Sequence, residues 1–170
     1  MMTVKRPLSF ILCALPAILC MVLIFAFSAQ TAANSSKTSG ELIRQSLSIL
    51  PIGFDDMPAV RQKEIVESLQ FIVRKCAHFS VYALLGVLCI PPAHVLLRKW
   101  NYAAWAAWGT SALYAVTDEI HQYFVPGRSC ELRDVLIDSS GAAVGILLLT
   151  IVAVRIRKSR QNNEIKNGRR

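Results

Sequence analysis

The chain has 170 residues, 54% of them hydrophobic, with a mean hydropathy of +0.42 and a formal net charge of +8. This composition excludes an ordinary soluble domain unless the apolar residues are spread evenly, and they are gathered into long runs instead. The basic excess does not point to nucleic acid, because the lysines and arginines flank those runs, where they report membrane orientation.

The first run, Leu8 to Phe27, is 20 residues without a charge and follows Lys5 and Arg6. At 1.5 Å per residue it crosses a hydrocarbon core of roughly 30 Å. It exceeds the apolar core of a signal peptide, so a retained helix is expected, kinked at Pro16 where one backbone hydrogen bond is lost. Residues 28–70 then form a 43-residue connection that opens on a Ser, Thr, Asn and Ala-rich stretch and contains Pro51, Gly53 and Pro58. Within it Leu42, Ile43, Leu47 and Leu50, and later Val60, Ile65, Val66 and Leu69, recur at helical spacing among charged residues. Two short amphipathic helices, 41–50 and 60–69, are expected on the outer membrane surface, the second running into the next span through Phe71, Ile72 and Val73.

The second span is expected over about 72–97, broken or bent at Pro91 and Pro92. The third, about 101–121, offers 17 residues from Asn101 to Thr117 before the Asp118 and Glu119 pair, and Trp100, Tyr102, Trp105 and Trp108 suit an aromatic belt at its inner end. The fourth, about 134–154, holds one acid, Asp138, in the 20 residues from Val135 to Val154, and a basic tail occupies 156–170. With four spans, one side receives eleven basic residues against Glu164, and the other eight basic and ten acidic. The basic side should be cytoplasmic, which places both termini there. The fold expected is all-α: an integral membrane four-helix bundle over residues 1–155, with short amphipathic helices in the external loop between spans one and two. Cys13, Cys20 and Cys89 are apolar fillers within spans, and Cys76 and Cys130 on the outer side are expected as independent thiols.

An ionisable residue at mid-span costs roughly 2.5–3.5 kcal/mol, so each calls for a partner or a purpose. Here they recur on single helical faces. Arg74, His78, Tyr82 and Gly86 are four apart; so are Tyr114, Asp118 and Gln122; Asp134, Asp138, Gly141 and Gly145 follow at four, three and four. The deduced topology brings the polar end of every stripe to the outer side, level with Gln30 and Arg128, and the three glycines would permit close helix contact beneath. A purely structural role is also available. Asp134 can cap span four, and Arg128 and Arg133 can neutralise Asp118, Glu119 or Asp138.

The segment Arg74-Lys75-Cys76-Ala77-His78-Phe79-Ser80-Val81-Tyr82, ending at Gly86, resembles a signature of the VanZ-like family. Tyr114 to Gln122, then Phe124-Val125-Pro126-Gly127-Arg128, Asp134, Asp138, Gly141 and Gly145, resemble its second. Phe27-Ser28-Ala29-Gln30 is similar to the motif ending the family's first helix, with Ala29 where Ser is commoner, and Cys130 stands where a small polar residue is usual. The resemblance covers most of residues 25–150. It implies a bacterial cell-membrane protein acting at the outer face of the envelope, whose relatives confer low-level resistance to the lipoglycopeptide teicoplanin.

Several chemistries fit the residues. In a binding reading, Gln30, Arg74, Lys75, Tyr82, Gln122, Arg128, Asp134 and Asp138 hold an amphiphilic or lipid-linked ligand, such as an envelope precursor or a lipoglycopeptide. In an enzyme reading, His78 with Asp118 or Glu119 supplies a base and an acid to a hydrolase or transferase acting on a lipid-linked precursor. A small transporter is a third class, though no inverted repeat is visible. His78, Asp118, Glu119, His121 and Asp134 could ligate a divalent ion, but no metalloenzyme spacing accompanies them, so no metal or nucleotide cofactor is assigned. The lipid bilayer is the expected partner.

Overall fold

The computed structural model describes residues 5–167, with side chains for 7–162. Among these residues there are five helices and no strand: α1 (Lys5–Ser28), α2 (Ala32–Ile49), α3 (Ala59–Leu97), α4 (Trp100–Tyr123) and α5 (Leu132–Asn167). The hub is α3, which contacts α1, α2, α4 and α5. Three helical stretches are long and apolar enough to cross a membrane, Pro7–Ser28, Ala59–Leu97 and Leu132–Asn162. Helix α4 has the length but is not among them, because Asn101, Thr110, Ser111, Thr117, Asp118 and Glu119 dilute its apolar content. Its buried face carries mostly small residues, Ala103, Ala107, Ser111 and Ala115, before Asp118, Glu119 and Gln122. Such a stripe lets α4 lie close to α3 and α5.

The connection between α1 and α3 differs from the expected pair of short helices. Helix α2 starts at Ala32, well before residue 41, capped by Thr31, whose hydroxyl accepts from the Asn34 N–H at 3.3 Å. Serine and threonine ordinarily favour turns, yet Thr38, Ser39, Ser46 and Ser48 each donate a hydroxyl to the carbonyl four residues back and so remain in the helix. The second amphipathic stretch is no separate element, being the opening turns of α3. This helix has 39 residues, about 58 Å at 1.5 Å per residue and well beyond the roughly 30 Å of a bilayer core. Its surplus pairs with α2. Ile43, Phe54 and Val66 are buried there with Leu47, Met57, Ile65 and Leu69 around them, and Gln70 Nε2 donates to the Ser36 carbonyl at 2.6 Å.

At its other end α3 runs through Pro91 and Pro92 to Leu97 without the expected break, and stops at Arg98, whose φ of 59° lies in the left-handed region. The indoles expected in a headgroup belt also tie α4 to α5: Trp100 Nε1 donates to Thr150 Oγ1 at 3.2 Å and Trp108 Nε1 to the Ser139 carbonyl at 3.1 Å. All five cysteines are free thiols.

Glycines bring the backbones of α3 and α5 into direct contact. A Cβ at Gly86 would lie 2.7 Å from the Ala142 carbonyl oxygen, one at Gly141 3.0 Å from the Phe79 carbonyl carbon, and one at Gly145 2.8 Å from that of Ala83. Backbone cannot rotate aside as a side chain can, so any substituent must push the helices apart. Gly145→Ala is expected to destabilise the bundle by about 1–3 kcal/mol, read as a lower melting temperature of the detergent-solubilised chain. A variant that melts with the wild type would refute this contact.

Candidate functional site

The end of α1, the middle of α3, the end of α4 and the start of α5 meet at one level. The Ser28 hydroxyl, closing α1, donates to Asp118 Oδ2 at 2.9 Å, and Gln122 Nε2 donates to the same oxygen at 3.1 Å. His78 on α3 sets Nδ1 3.6 Å from Asp138 Oδ2 on α5. One turn nearer the α3 start, Lys75 forms an ion pair with Asp134, while Arg133 pairs with Glu131 at 2.7 Å. Glu119 accepts the Glu131 backbone N–H on Oε2 at 2.9 Å, fixing the chain as it enters α5.

Arg128, in the loop between α4 and α5, bridges the first helix to the fourth. Its Nε donates to the Gln30 carbonyl at 2.9 Å, Nη1 to Gln122 Oε1 at 3.1 Å and Nη2 to the Phe27 carbonyl at 3.4 Å. Burial, with the nearby positive charge of Arg74 as the second cause, holds its guanidinium below the ordinary arginine value. Neither Arg74 nor Arg128 makes an ion pair among the described residues.

Beside these arginines lies a cavity of about 660 Å³ between α1 and α3. Its walls are apolar, including Leu19, Leu23 and Ile24 from α1 and Val81, Leu84 and Leu88 from α3. Its polar lining consists of Ser28, Gln30, Ser35, Ser39, Arg74, His78 and Arg128, with Cys20 on the α1 wall.

A family model described as VanZ/LLP1 matches residues 13–153. The chain belongs to the VanZ/LLP1 family. No curated protein and no solved structure matches it. The VanZ/LLP1 match takes in all of the cluster and the cavity lining, and with three apolar helices it makes the chain a membrane protein.

Within this VanZ/LLP1 region the sequence-derived site residues fall into groups. Gln30, Arg74, His78 and Arg128 line the cavity, although the Gln30 hydrogen bond to Arg128 uses its backbone carbonyl. Tyr82, Asp118, Gln122 and Asp138 are buried behind that lining, and Lys75 and Asp134 are occupied with each other. Of the acids expected beside His78, Asp118 brings an oxygen within 4.8 Å of the ring and Glu119 is held by the Glu131 amide, while Asp138 adds a third carboxylate at 3.6 Å. Neither arginine forms an ion pair with the buried acids among the described residues, although the charges of Asp118 and Glu119 act on Arg128 from further away: Arg128 bonds to an amide and two carbonyls, and Arg133 to Glu131 and Asp134. Asp134 lies in the first turn of α5 rather than before it. His121 leaves the cluster altogether and stacks on Phe25 with ring centroids 4.2 Å apart. Ser28 is the residue that sequence reasoning missed as a member. Its signals are a hydroxyl one residue past a long apolar run and its place in the Phe27-Ser28-Ala29-Gln30 stretch that resembles the family's first-helix motif.

Proposed function

We propose that this VanZ/LLP1 protein crosses the membrane four times with both termini in the cytoplasm, α4 being the third span, and binds an amphiphile with an anionic headgroup at the outer face. The observation that carries the reading is the pairing of an apolar cavity with two arginines that have no carboxylate partner among the described residues. A volume of about 660 Å³ falls within the roughly 300–1,000 Å³ of small-molecule sites. The apolar wall suits an acyl chain. Arg74 lies near enough to disfavour the charge of Arg128, so a phosphate or carboxylate beside them would relieve that repulsion and accept the forked N–H groups of Arg74. Lipid-linked envelope precursors and lipoglycopeptides share this chemistry, an aliphatic tail joined to an anionic polar portion, and capture of either would account for low-level teicoplanin resistance of the kind the family resemblance implies. The surplus charge at Lys5, Arg6, Arg98, Lys99 and the residues from Arg155 supports the orientation.

The test uses the full chain in neutral-lipid nanodiscs and a photoactivatable phosphatidic acid, with the matching diacylglycerol as its uncharged control. Wild type is expected to be labelled on α1 and α3 by the phosphate probe in preference. Arg74→Gln should weaken that labelling about tenfold or more, since a charge-assisted hydrogen bond contributes roughly 1.5–3 kcal/mol. In cells, the same variant at matched abundance should lose teicoplanin tolerance. Equal labelling by both probes, unchanged in Arg74→Gln, would sink the reading.

A further inference from the structure

Behind the cavity, His78, Asp118 and Asp138 arrive from three different helices, and one ligand atom of each lies within 4.8 Å of the other two. Both carboxylates are out of reach of solvent, Asp138 at 0% exposure and Asp118 at 2%. Neither oxygen of Asp138, nor Oδ1 of Asp118, nor the Tyr82 hydroxyl has a hydrogen-bond partner among the described residues. Dehydrating a carboxylate costs several kcal/mol, and two side by side repel as well, so the pair favours a bound proton or a cation. The nearby lysine and arginines are turned elsewhere, Lys75 to Asp134, Arg133 to Glu131, and Arg128 to Gln122 and two backbone carbonyls, which leaves the His78 ring, 3.6 Å from Asp138, as the base that faces the pair.

We infer that His78, Asp118 and Asp138 bind a divalent transition-metal ion, through one imidazole nitrogen and one oxygen from each carboxylate. Imidazole and carboxylate together suit zinc or manganese. Bonds of about 2.0–2.1 Å in a tetrahedral site put neighbouring donors about 3.3 Å apart, so the His78 to Asp138 separation of 3.6 Å is close to that required, and no separation within the trio exceeds 4.8 Å. The unpaired Asp118 oxygen is aimed by its twin, which is fixed by Ser28 and Gln122. That makes Ser28 a positioning residue, acting on the ion through Asp118. Three protein ligands leave a position for water or a ligand oxygen, and His78 and Ser28 also line the cavity. The site goes beyond amphiphile capture: it shares His78 and Ser28 with the cavity wall but uses neither of the arginines that carry that reading.

The test is metal stoichiometry of the purified full chain, stripped with chelator and then equilibrated with micromolar zinc, manganese or cobalt. Wild type is expected to bind one ion of at least one of these metals per chain and to melt at a higher temperature with it. His78→Gln and Asp138→Asn should each weaken binding at least about tenfold, and Ser28→Ala roughly 10–100-fold. His121→Ala, away from the trio, should bind as wild type does. Arg74→Gln should as well, so the metal site and the anion site fail separately. Should Asp138→Asn not fold, His78→Gln and the visible absorption of cobalt-loaded wild type decide the matter. A folded wild type that takes up none of the three ions, or His78→Gln and Ser28→Ala that bind as tightly as wild type, would overturn the assignment.

Discussion

Arg128→Lys is expected to destabilise the chain by about 3 kcal/mol or more, although it keeps the charge, because an ammonium cannot replace three divergent hydrogen bonds. The guanidinium reaches the Gln30 and Phe27 carbonyls past the end of α1 and the Gln122 side chain on α4 at the same time. Losing two of those, at about 1.5–3 kcal/mol for each charge-assisted bond, loosens the junction of α1 with α4 and the polar end of the cavity together. A pH signature should accompany the loss. Burial and the charge of Arg74 disfavour the cation at this position, yet arginine starts so high that it remains charged across the workable range. Lysine starts lower, and the same surroundings would make it lose its proton as pH rises. Anionic-probe binding by the variant should therefore weaken on going from neutral to alkaline pH, while the wild type holds steady. Melting curves that superimpose, or pH profiles of one shape, would contradict this account.

Phe54→Ala should cost about 3–5 kcal/mol locally, the usual toll of removing a buried aromatic ring. Phe54 is 1% exposed and sits between Ile43 of α2 and Val66 of α3, in a small apolar cluster apart from the main core. The damage should stay on that side. Amide exchange is expected to accelerate over residues 32–57, while the α3 to α5 contact at Gly86, Gly141 and Gly145 keeps its protection. Uniform acceleration across the whole chain would show that the α2 cluster is no separate unit of stability.

What the sequence disclosed, and what it hid, follows from the range of the forces involved. The stripes Arg74–His78, Asp118–Gln122 and Asp134–Asp138 were legible because a four-residue spacing puts side chains on one helical face, and charge in an apolar run makes that face conspicuous. The glycines were legible for a related reason: small residues at 86, 141 and 145 mark where two backbones approach, and each abuts α3 or α5 backbone. The length of α2 was hidden because serine and threonine propensities suggest a loop, whereas hydroxyls bonded to the preceding turn keep them helical. Pairings across helices were hidden too. Nothing in the order of residues says that Lys75 takes Asp134, that His78 faces Asp138, or that His121 turns away to Phe25. The polar content of α4 blurs its own identity, since the residues that build the cluster are those that lower its apolarity.

The two adjacent prolines in α3 have a mechanical consequence. Proline supplies no N–H, so the carbonyls of Val87 and Leu88 go without their intrahelical donors, and two successive rungs of the ladder are missing in a rod that otherwise runs from Ala59 to Leu97. Bending stiffness is lowest there, which concentrates flexure toward the Arg98 tip and leaves the stretch from Gln70 to Gly86, with its polar side chains, straight and in register.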